Sequence, residues 1–379
     1  MKTRDLELAT IKRNEFKNVV ISVSGTCGKT TTTYFTHKVL KTCYKIDKSH
    51  SNKNGEVGIP VCINTMFDLN SDYWLQEIGI ASPGAMKKHL DLLRPRIRIL
   101  TNVNNAHSVY FKNMKHYQDE KLLFINLAPD DSTIIINNDD PLICAEKEKI
   151  IKSGKNIKII SCGTNSTDDV QLIEYKLNPN NIRSSFHVRI NMNINQDIFF
   201  NLNCIGKHYG IDACLAIACG VYCDVPILYI QNALDNTNLY EKRGKIHSIR
   251  NLLVYDYTFN MVSAACINNL EEFNNIDSPN KVIIIGGNAW DVLEPEKSID
   301  YYNIVNKAFK ITDCVIVYNS KHLSLNTDVI GKFPLTKIIN TEDEMVDYIK
   351  TLTKILTEKW YIFIQTPNVL NSIEIIKKL

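Results

Sequence analysis

Residues 19–42 read VVISVSGTCGKTTTTYFTHKVLKT. The run from Asn18 to Ser24 holds four Val or Ile residues, the pattern of a parallel strand buried on both faces. Gly25-Thr26-Cys27-Gly28-Lys29-Thr30 follows directly, and Thr31 leads into the helix-like stretch YFTHKVLKT. A glycine-framed loop between strand and helix can curl so that successive N–H groups face phosphate oxygens, with the positive end of the helix dipole behind them. Lys29 would meet the β- and γ-phosphates as a point charge, and the Thr30 hydroxyl would ligate Mg2+. The loop is shorter than GxxxxGK[ST], so alone it also reads as a glycine turn followed by a capping Thr run. Its strand–loop–helix setting favours a bound nucleotide.

Outward from this loop, IRILTNV (97–103) and STIIINNDD (132–140) are apolar strands that end in small or polar residues, with a helical pattern around KHYQDEKLLFINLA between them. Strands alternating with helices predict a parallel α/β sheet. From residue 168 the pattern changes. DVQLIEYKL, SSFHVRINMNI and QDIFFNLNCI alternate polar and apolar residues, which predicts a small antiparallel sheet, and the helices IDACLAIACGVY and IQNALDN follow. Beyond Gly244, NLLVYDY, KVIIIGG, DCVIVYN and YIFIQTP predict a second, Rossmann-like α/β unit without a GxGxxG turn. Two domains are expected, 1–243 and 244–379.

The composition bounds the function. The 379 residues are 44% hydrophobic and 22% charged, which excludes a disordered or collagen-like chain and provides for a sizeable core. A net charge of +3 gives no reason to expect a nucleic-acid partner. The eleven cysteines form no CxxC pair, so they are expected as reduced thiols rather than a disulfide framework or zinc ribbon. The first sixteen residues lack the apolar core of a secretory signal, and no run is long and apolar enough to span a membrane, so a cytoplasmic protein is expected.

The glycine loop resembles the GTxGKTT segment of the Mur ligase family, and further segments match in order. Asn54-Gly55-Glu56-Val57-Gly58-Ile59-Pro60 is similar to N-N-E-I-G-V-P of the MurF-type ligases, and Glu77 in LQEIGIASPG to the E-x-G metal-ligand segment. Arg94-Pro95 with Ile99 through His107 resembles RP…ITNVGxAH. Lys121 falls where the family carries a carbamylated lysine. Asn137-Asn138-Asp139-Asp140 matches N-x-D-D on the adenine side. Gly206-Lys207-His208 stands at G-x-H-N, Arg243 at an interdomain arginine, and Asp256-Tyr257 at the start of DYAHTPD. Taken singly, Glu77 reads as a surface acid, Lys121 as a helix lysine with a buried stem and His107 as a strand-end histidine. Their order behind the phosphate loop favours the site reading.

The resemblance implies an ATP- and Mg2+-dependent ligase that activates a carboxylate as an acyl phosphate and joins it to an amine. Gly25 to Thr31, Asn137, Asp139, His208, Tyr209, Arg243 and Asp256 would contact ATP. Thr30 and Glu77 would hold one Mg2+, and His107 with carbamylated Lys121 a second. Lys29, His107, Lys121 and Arg243 would carry the catalysis, Arg243 from a hinge. The implied partners are a small-molecule carboxylate and an amino acid or amine.

Departures qualify that expectation. The phosphate-loop strand begins at residue 19, so no separate UDP-binding domain precedes it in this sequence. Poly-γ-glutamate and cyanophycin synthetases are more similar in that respect. A substrate other than a UDP-linked muramyl peptide is therefore expected, or a partner domain that supplies the missing part. Tyr209 and Asp212 replace two asparagines, Tyr209 being expected to stack on the base. Thr258-Phe259-Asn260-Met261 lacks the family's His and Pro, and Gln365-Thr366-Pro367-Asn368 replaces a KGSR-like end. An alternative is an ATP-binding regulatory or partner-dependent subunit with a degenerate amino-acid site.

Overall fold

The computed structural model describes residues 3–50, 52–104, 111–178, 183–235, 237–239, 242–258, 263–286, 301–318, 337–353, 358–366 and 372–379. The chain forms two compact units. One holds Met1–Lys176, Ser185–Asn201 and Lys207–Thr237; the other holds Leu177–Ser184, Leu202–Gly206 and Asn238–Leu379. The units therefore do not divide the chain at a single point.

In the first unit the order is α1 (Thr3–Glu15), β1 (Val19–Ser24), α2 (Lys29–Leu40), β2 (Ile46–Lys48), α3 (Gly58–Thr65), β3 (Tyr73–Ile78), α4 (Ala85–Leu93) and β4 (Ile97–Leu100). Then come α5 (Met114–Asn126), β5 (Thr133–Asn137), α6 (Pro141–Lys152), β6 (Lys158–Gly163), β7 (Val170–Asn178), β8 (Arg183–Asn191), β9 (Asn195–Asn203), α7 (His208–Tyr222), α8 (Ile227–Leu234) and β10 (Thr237–Asn238). Their strands form one sheet in the order β10-β9-β8-β7-β6-β5-β4-β1-β3-β2. The β-branched residues of β1 alternate between faces. Val20 packs with Trp74, Leu100, Ile134 and the apolar sides of α1 and α3–α6. α7 and α2 pack on each other on the opposite face.

The alternating segments after residue 168 form β7, β8 and β9, the expected antiparallel sub-sheet, joined to the main sheet at one edge. β7 pairs parallel to β6, so they extend the sheet begun by β1. The Ser185–Asn201 and Arg189–Asp197 contacts run in opposite directions along β8 and β9, which makes that pair antiparallel. Sequence alternation reports which face is buried and says nothing about the neighbour at a strand's edge.

The second unit contains β11 (Lys245–Ile249), β12 (Leu252–Asp256), α9 (Ser263–Asn274), β13 (Lys281–Gly286), α10 (Tyr301–Phe309), β14 (Val315–Tyr318), β15 (Lys337–Ile339), α11 (Glu342–Thr353), β16 (Trp360–Gln365) and α12 (Ser372–Lys378). The sheet order is β11-β12-β16-β13-β14-β15, parallel except for the antiparallel β11. Alternate residues serve opposite cores. Leu253, Tyr255, Ile283 and Phe363 face α9 and α10, whereas Val254, Ile284, Ile316 and Ile362 face α11 and α12. This is the predicted Rossmann-like arrangement. No helix of the described residues is long and apolar enough to cross a membrane.

Candidate functional site

β1 lies between β3 and β4, in register Ser24↔Ile78 and Ser24↔Leu100. All three strands are parallel, so their carboxyl ends open on one edge, where α/β sheets place ligands. The glycine loop leaves β1 at that edge. Gly25 has φ 147° and Gly28 φ 78°, left-handed values that favour glycine. Space also demands glycine: a Cβ on Gly25 would strike the Thr101 hydroxyl, and one on Gly28 the Asp212 carboxyl.

The loop is held from β4's exit. Asn102 accepts from Thr26 N through its carbonyl and from Cys27 N through Oδ1, each at 2.9 Å, and its Nδ2 donates to Cys27 O. These two loop N–H groups are thus spent on the protein. The first turn of α2, with Gly28 as N-cap and no side-chain cap, follows directly, and a helix start of that kind is where backbone N–H groups face an anion. Half-buried Thr31 is part of that turn. The Lys29 ammonium folds back onto Thr26 O at 2.8 Å.

Beside the helix start, Thr30 Oγ1 donates to Glu77 Oε2 at 2.7 Å, and Asn54 Nδ2 donates to Glu77 Oε1 at 2.7 Å. Glu77 is 3% exposed, a buried carboxylate held by two neutral donors. A hydroxyl and a carboxylate oxygen at one point are the donor set a hard divalent cation takes, so these residues fit Mg2+. Lys121, on α5, is 1% exposed and lies over the Tyr117 ring with its amine 5.5 Å from the centroid. Burial, then the charge of Lys29, pushes its pKa well below the lysine range, against Glu77, Cys27 and Glu120. Disfavouring the ammonium form favours the nucleophilic amine, the form that takes up CO2 as a carbamate, whose oxygens suit a metal ligand. His107 lies outside the described residues.

Other expected residues fall in two groups. Asn137 donates to Thr101 O and accepts from Asp139 N, and exposed Asp139 accepts from Thr164 N and Oγ1. The neighbouring Asp140 is spent structurally: it caps α6 and accepts from Val103 N. His208 is half-buried, with its pKa pushed down to about 4 by burial, and its ring lies against that of Tyr209 at 4.0 Å. Tyr209 is only 3% exposed, so of the two rings His208 offers more surface to a base. In the second unit Arg243 is half-buried, and fully buried Asp256 accepts from Thr258 N and Oγ1 at 3.0 and 2.7 Å. Phe259, Asn260, Met261, Pro367 and Asn368 lie outside the described residues.

Sequence reading passed over Asn102, Asn54 and Tyr117, which the fold brings to this edge, and marked Asp212 only as replacing a family asparagine. Asn102 and Asn54 lay inside recognised segments, but nothing local marks them as loop and carboxylate partners. Tyr117 meets Thr26 Oγ1 at 3.3 Å, and burial pushes its pKa up to about 12. Asp212 accepts from Thr32 Oγ1 at 3.1 Å and is 5% exposed, its pKa pushed up to about 8 by burial.

The Mur ligase middle domain family matches residues 23–220. The UDP-N-acetylmuramoyl-tripeptide–D-alanyl-D-alanine ligase of Bacillus subtilis (strain 168) is 27% identical over 216 residues, 57% of this chain and 44% of that protein. The ligase of the same name from Rickettsia prowazekii (strain Madrid E) is 25% identical over 287 residues, 74% of this chain and 61% of its own. The chain thus spans less than two thirds of either relative. Among solved structures, MurF ligase from Thermotoga maritima in complex with ADP aligns with a TM-score of 0.81 at 16% identity, covering 100% of this chain and 84% of that one, which shows a shared fold.

Proposed function

The chain belongs to the Mur ligase family, and on that premise we propose that it is an ADP-forming ligase that joins a carboxylate to an amine. The observation that carries this reading is the convergence of Lys29, the Thr30–Glu77 pair and buried Lys121 at the carboxyl edge of β1 and β3. The substrate carboxylate attacks the γ-phosphorus of ATP, the bond to the bridging oxygen breaks, and ADP leaves. The amine then adds to the acyl phosphate carbonyl, and phosphate departs with the electron pair of its C–O bond.

Lys29 and the first turn of α2 would neutralise charge on the phosphates, the work on which phosphoryl transfer chiefly depends. Thr30 and Glu77 would hold Mg2+, which supplies charge neutralisation across the phosphates. Carbamylated Lys121 and His107 would hold a second ion beside the acyl group. Gly25 to Thr31, Asn137, Asp139 and His208 form the nucleotide side of the proposal, with Tyr209 supporting the His208 ring. Arg243 and Asp256 are proposed as nucleotide contacts of the second unit, residues 244–379 contributing the amine site. The carboxylate is proposed to differ from a UDP-linked muramyl peptide, with a partner domain as the other route to substrate capture.

Substrate-dependent ADP release tests the reading. Protein with ATP and Mg2+ is given pooled carboxylates and pooled amino acids, one carboxylate pool containing UDP-linked muramoyl peptide and one lacking it. Release that needs both partners and disappears in Lys29→Ala supports a ligase, and the productive pool names the carboxylate class. Nucleotide binding without release from any pool would replace it with the ATP-binding, partner-dependent alternative.

A further inference from the structure

The hydroxyl of Thr26 has one proton and two lone pairs. Its proton goes to Asn104 O at 3.1 Å, and it accepts from Asn104 N at 3.0 Å. The remaining lone pair faces Tyr117 Oη at 3.3 Å, so the tyrosine is the donor. Tyr117 is 2% exposed and its ring stands edge-on to Phe111 at 5.3 Å. One helical turn further along α5, Lys121 places its amine 5.5 Å from the centre of the same ring. A single side chain therefore touches the phosphate loop through its hydroxyl and the buried lysine through its face. Its other contacts, Asn104 through Thr26 and Phe111 directly, are the described residues on either side of 105–110.

We propose that Tyr117 is a positioning residue for the reaction, its hydroxyl fixing the phosphate loop through Thr26 while its ring fixes the Lys121 amine. The inference rests on the ligase reading and adds to it how loop and lysine are kept in step. Neither Thr26 nor Lys121 can shift against the other without displacing a ring packed into the core. Asn102, Thr101 and Asn104 hold the loop from β4's exit, and the Tyr117 hydroxyl adds the contact from α5 that limits its angular freedom toward a phosphate.

A double-mutant cycle read by calorimetric ADP binding tests it, in the full chain, well below each variant's melting temperature. Tyr117→Phe keeps the ring and loses the donor, and ADP affinity is expected to fall about 3- to 10-fold, the worth of one hydrogen bond. Thr26→Val, which also gives up both Asn104 bonds, is expected to fall further, Thr26→Ser to bind like the parent, and the double variant to be no worse than Thr26→Val alone. In steady-state turnover, Tyr117→Phe should raise KM for ATP with little change in kcat, whereas Tyr117→Leu, which also strips the ring from Lys121, should lower kcat about 10-fold or more. Equal ADP affinity in Tyr117→Phe and the parent, or losses that multiply in the double variant, would overturn the role of the hydroxyl. Identical kcat in the Leu and Phe variants would overturn the role of the ring. A parent that binds no ADP sinks the ligase reading itself and this inference with it, an outcome distinct from the other two.

Discussion

Both units are parallel sheets whose buried residues alternate between two helical layers, yet the carboxyl ends of their central strands are finished differently. At the end of β1 and β3, charged and hydroxyl groups from distant segments meet: Thr30 with Glu77, 47 residues apart, and Thr32 with Asp212, 180 apart. At the end of β12 and β16, one carboxyl closes on a near neighbour, and the long-range contacts, 108 and 96 residues apart, are made by a neutral amide. Asp256 is satisfied two residues along by Thr258, and Gln365 Nε2 donates to Tyr257 O while its Oε1 accepts from Asn269 at 3.4 Å. The first edge concentrates buried titratable groups, whose burial costs folding energy and, on the ligase reading, suits a charged ligand. The second is a hydrogen-bonded seam of hydroxyl, amide and backbone groups around one buried carboxyl. The same sheet logic supports a reactive edge or a structural one, and the side chains at the strand exits decide which.

Four substitutions break or sharpen that contrast. Lys29→Ala should have the largest effect, lowering substrate-dependent ADP release about 1000-fold, because charge stabilisation in a desolvated site is lost. Lys121→Met should lower turnover about 100-fold and at the same time raise the melting temperature by about 2–4 °C, since a buried amine gives way to an apolar chain of similar length. A stability gain without loss of activity would mean that the reactive edge does not need its buried charge.

Asp212→Asn probes the same edge through pH. The carboxyl has a folded pKa of about 8, above the ordinary aspartate value of 3.8, so the folded state binds the extra proton. Its favourable contribution is complete below about pH 4 and is lost as pH rises through about 8. The asparagine variant carries no such proton, and its stability relative to the parent should rise across that window by up to about 1.4 kcal/mol per pH unit, measured by urea unfolding at several pH values. A constant difference across the window would show that Asp212 is ionised throughout. The smallest effect belongs to the seam. Thr258→Val should cost about 1–2 kcal/mol of stability by removing a hydroxyl donor from a buried carboxylate, and lower ADP affinity about 3-fold at most, through Asp256. A larger drop in ADP affinity there would show that the two edges are less distinct than their hydrogen bonding implies.

Much of the frame was legible in residues 19–42. The Val/Ile run, the two glycines and the Thr run describe a strand, a turn that needs positive φ and a helix start, all properties of neighbouring residues. The apolar cores of β4, β5, β12, β13, β14 and β16 were readable for the same reason. Short or edge elements were not: β2 and β15 have three residues each, too few for a period to register. α1 was missed because its residues carry no apolar stripe, and what anchors it is Arg13, which donates to Leu93 O at 2.7 Å.

By itself the sequence determined that residues 25–28 form a glycine turn between a buried strand and a helix, and it marked Glu77 and Lys121 as companions through their resemblance to a family pattern. It did not determine that the N–H groups of Thr26 and Cys27 are taken by Asn102, that Asn54 holds the second oxygen of Glu77, or that Tyr117 joins the loop to Lys121. Those contacts span 23 to 91 residues. Backbone conformation and face alternation are short-range, so a few adjacent residues set them. A hydrogen bond between distant segments exists only once the order β4-β1-β3 has put their ends side by side, and that order is fixed by packing across the whole sheet.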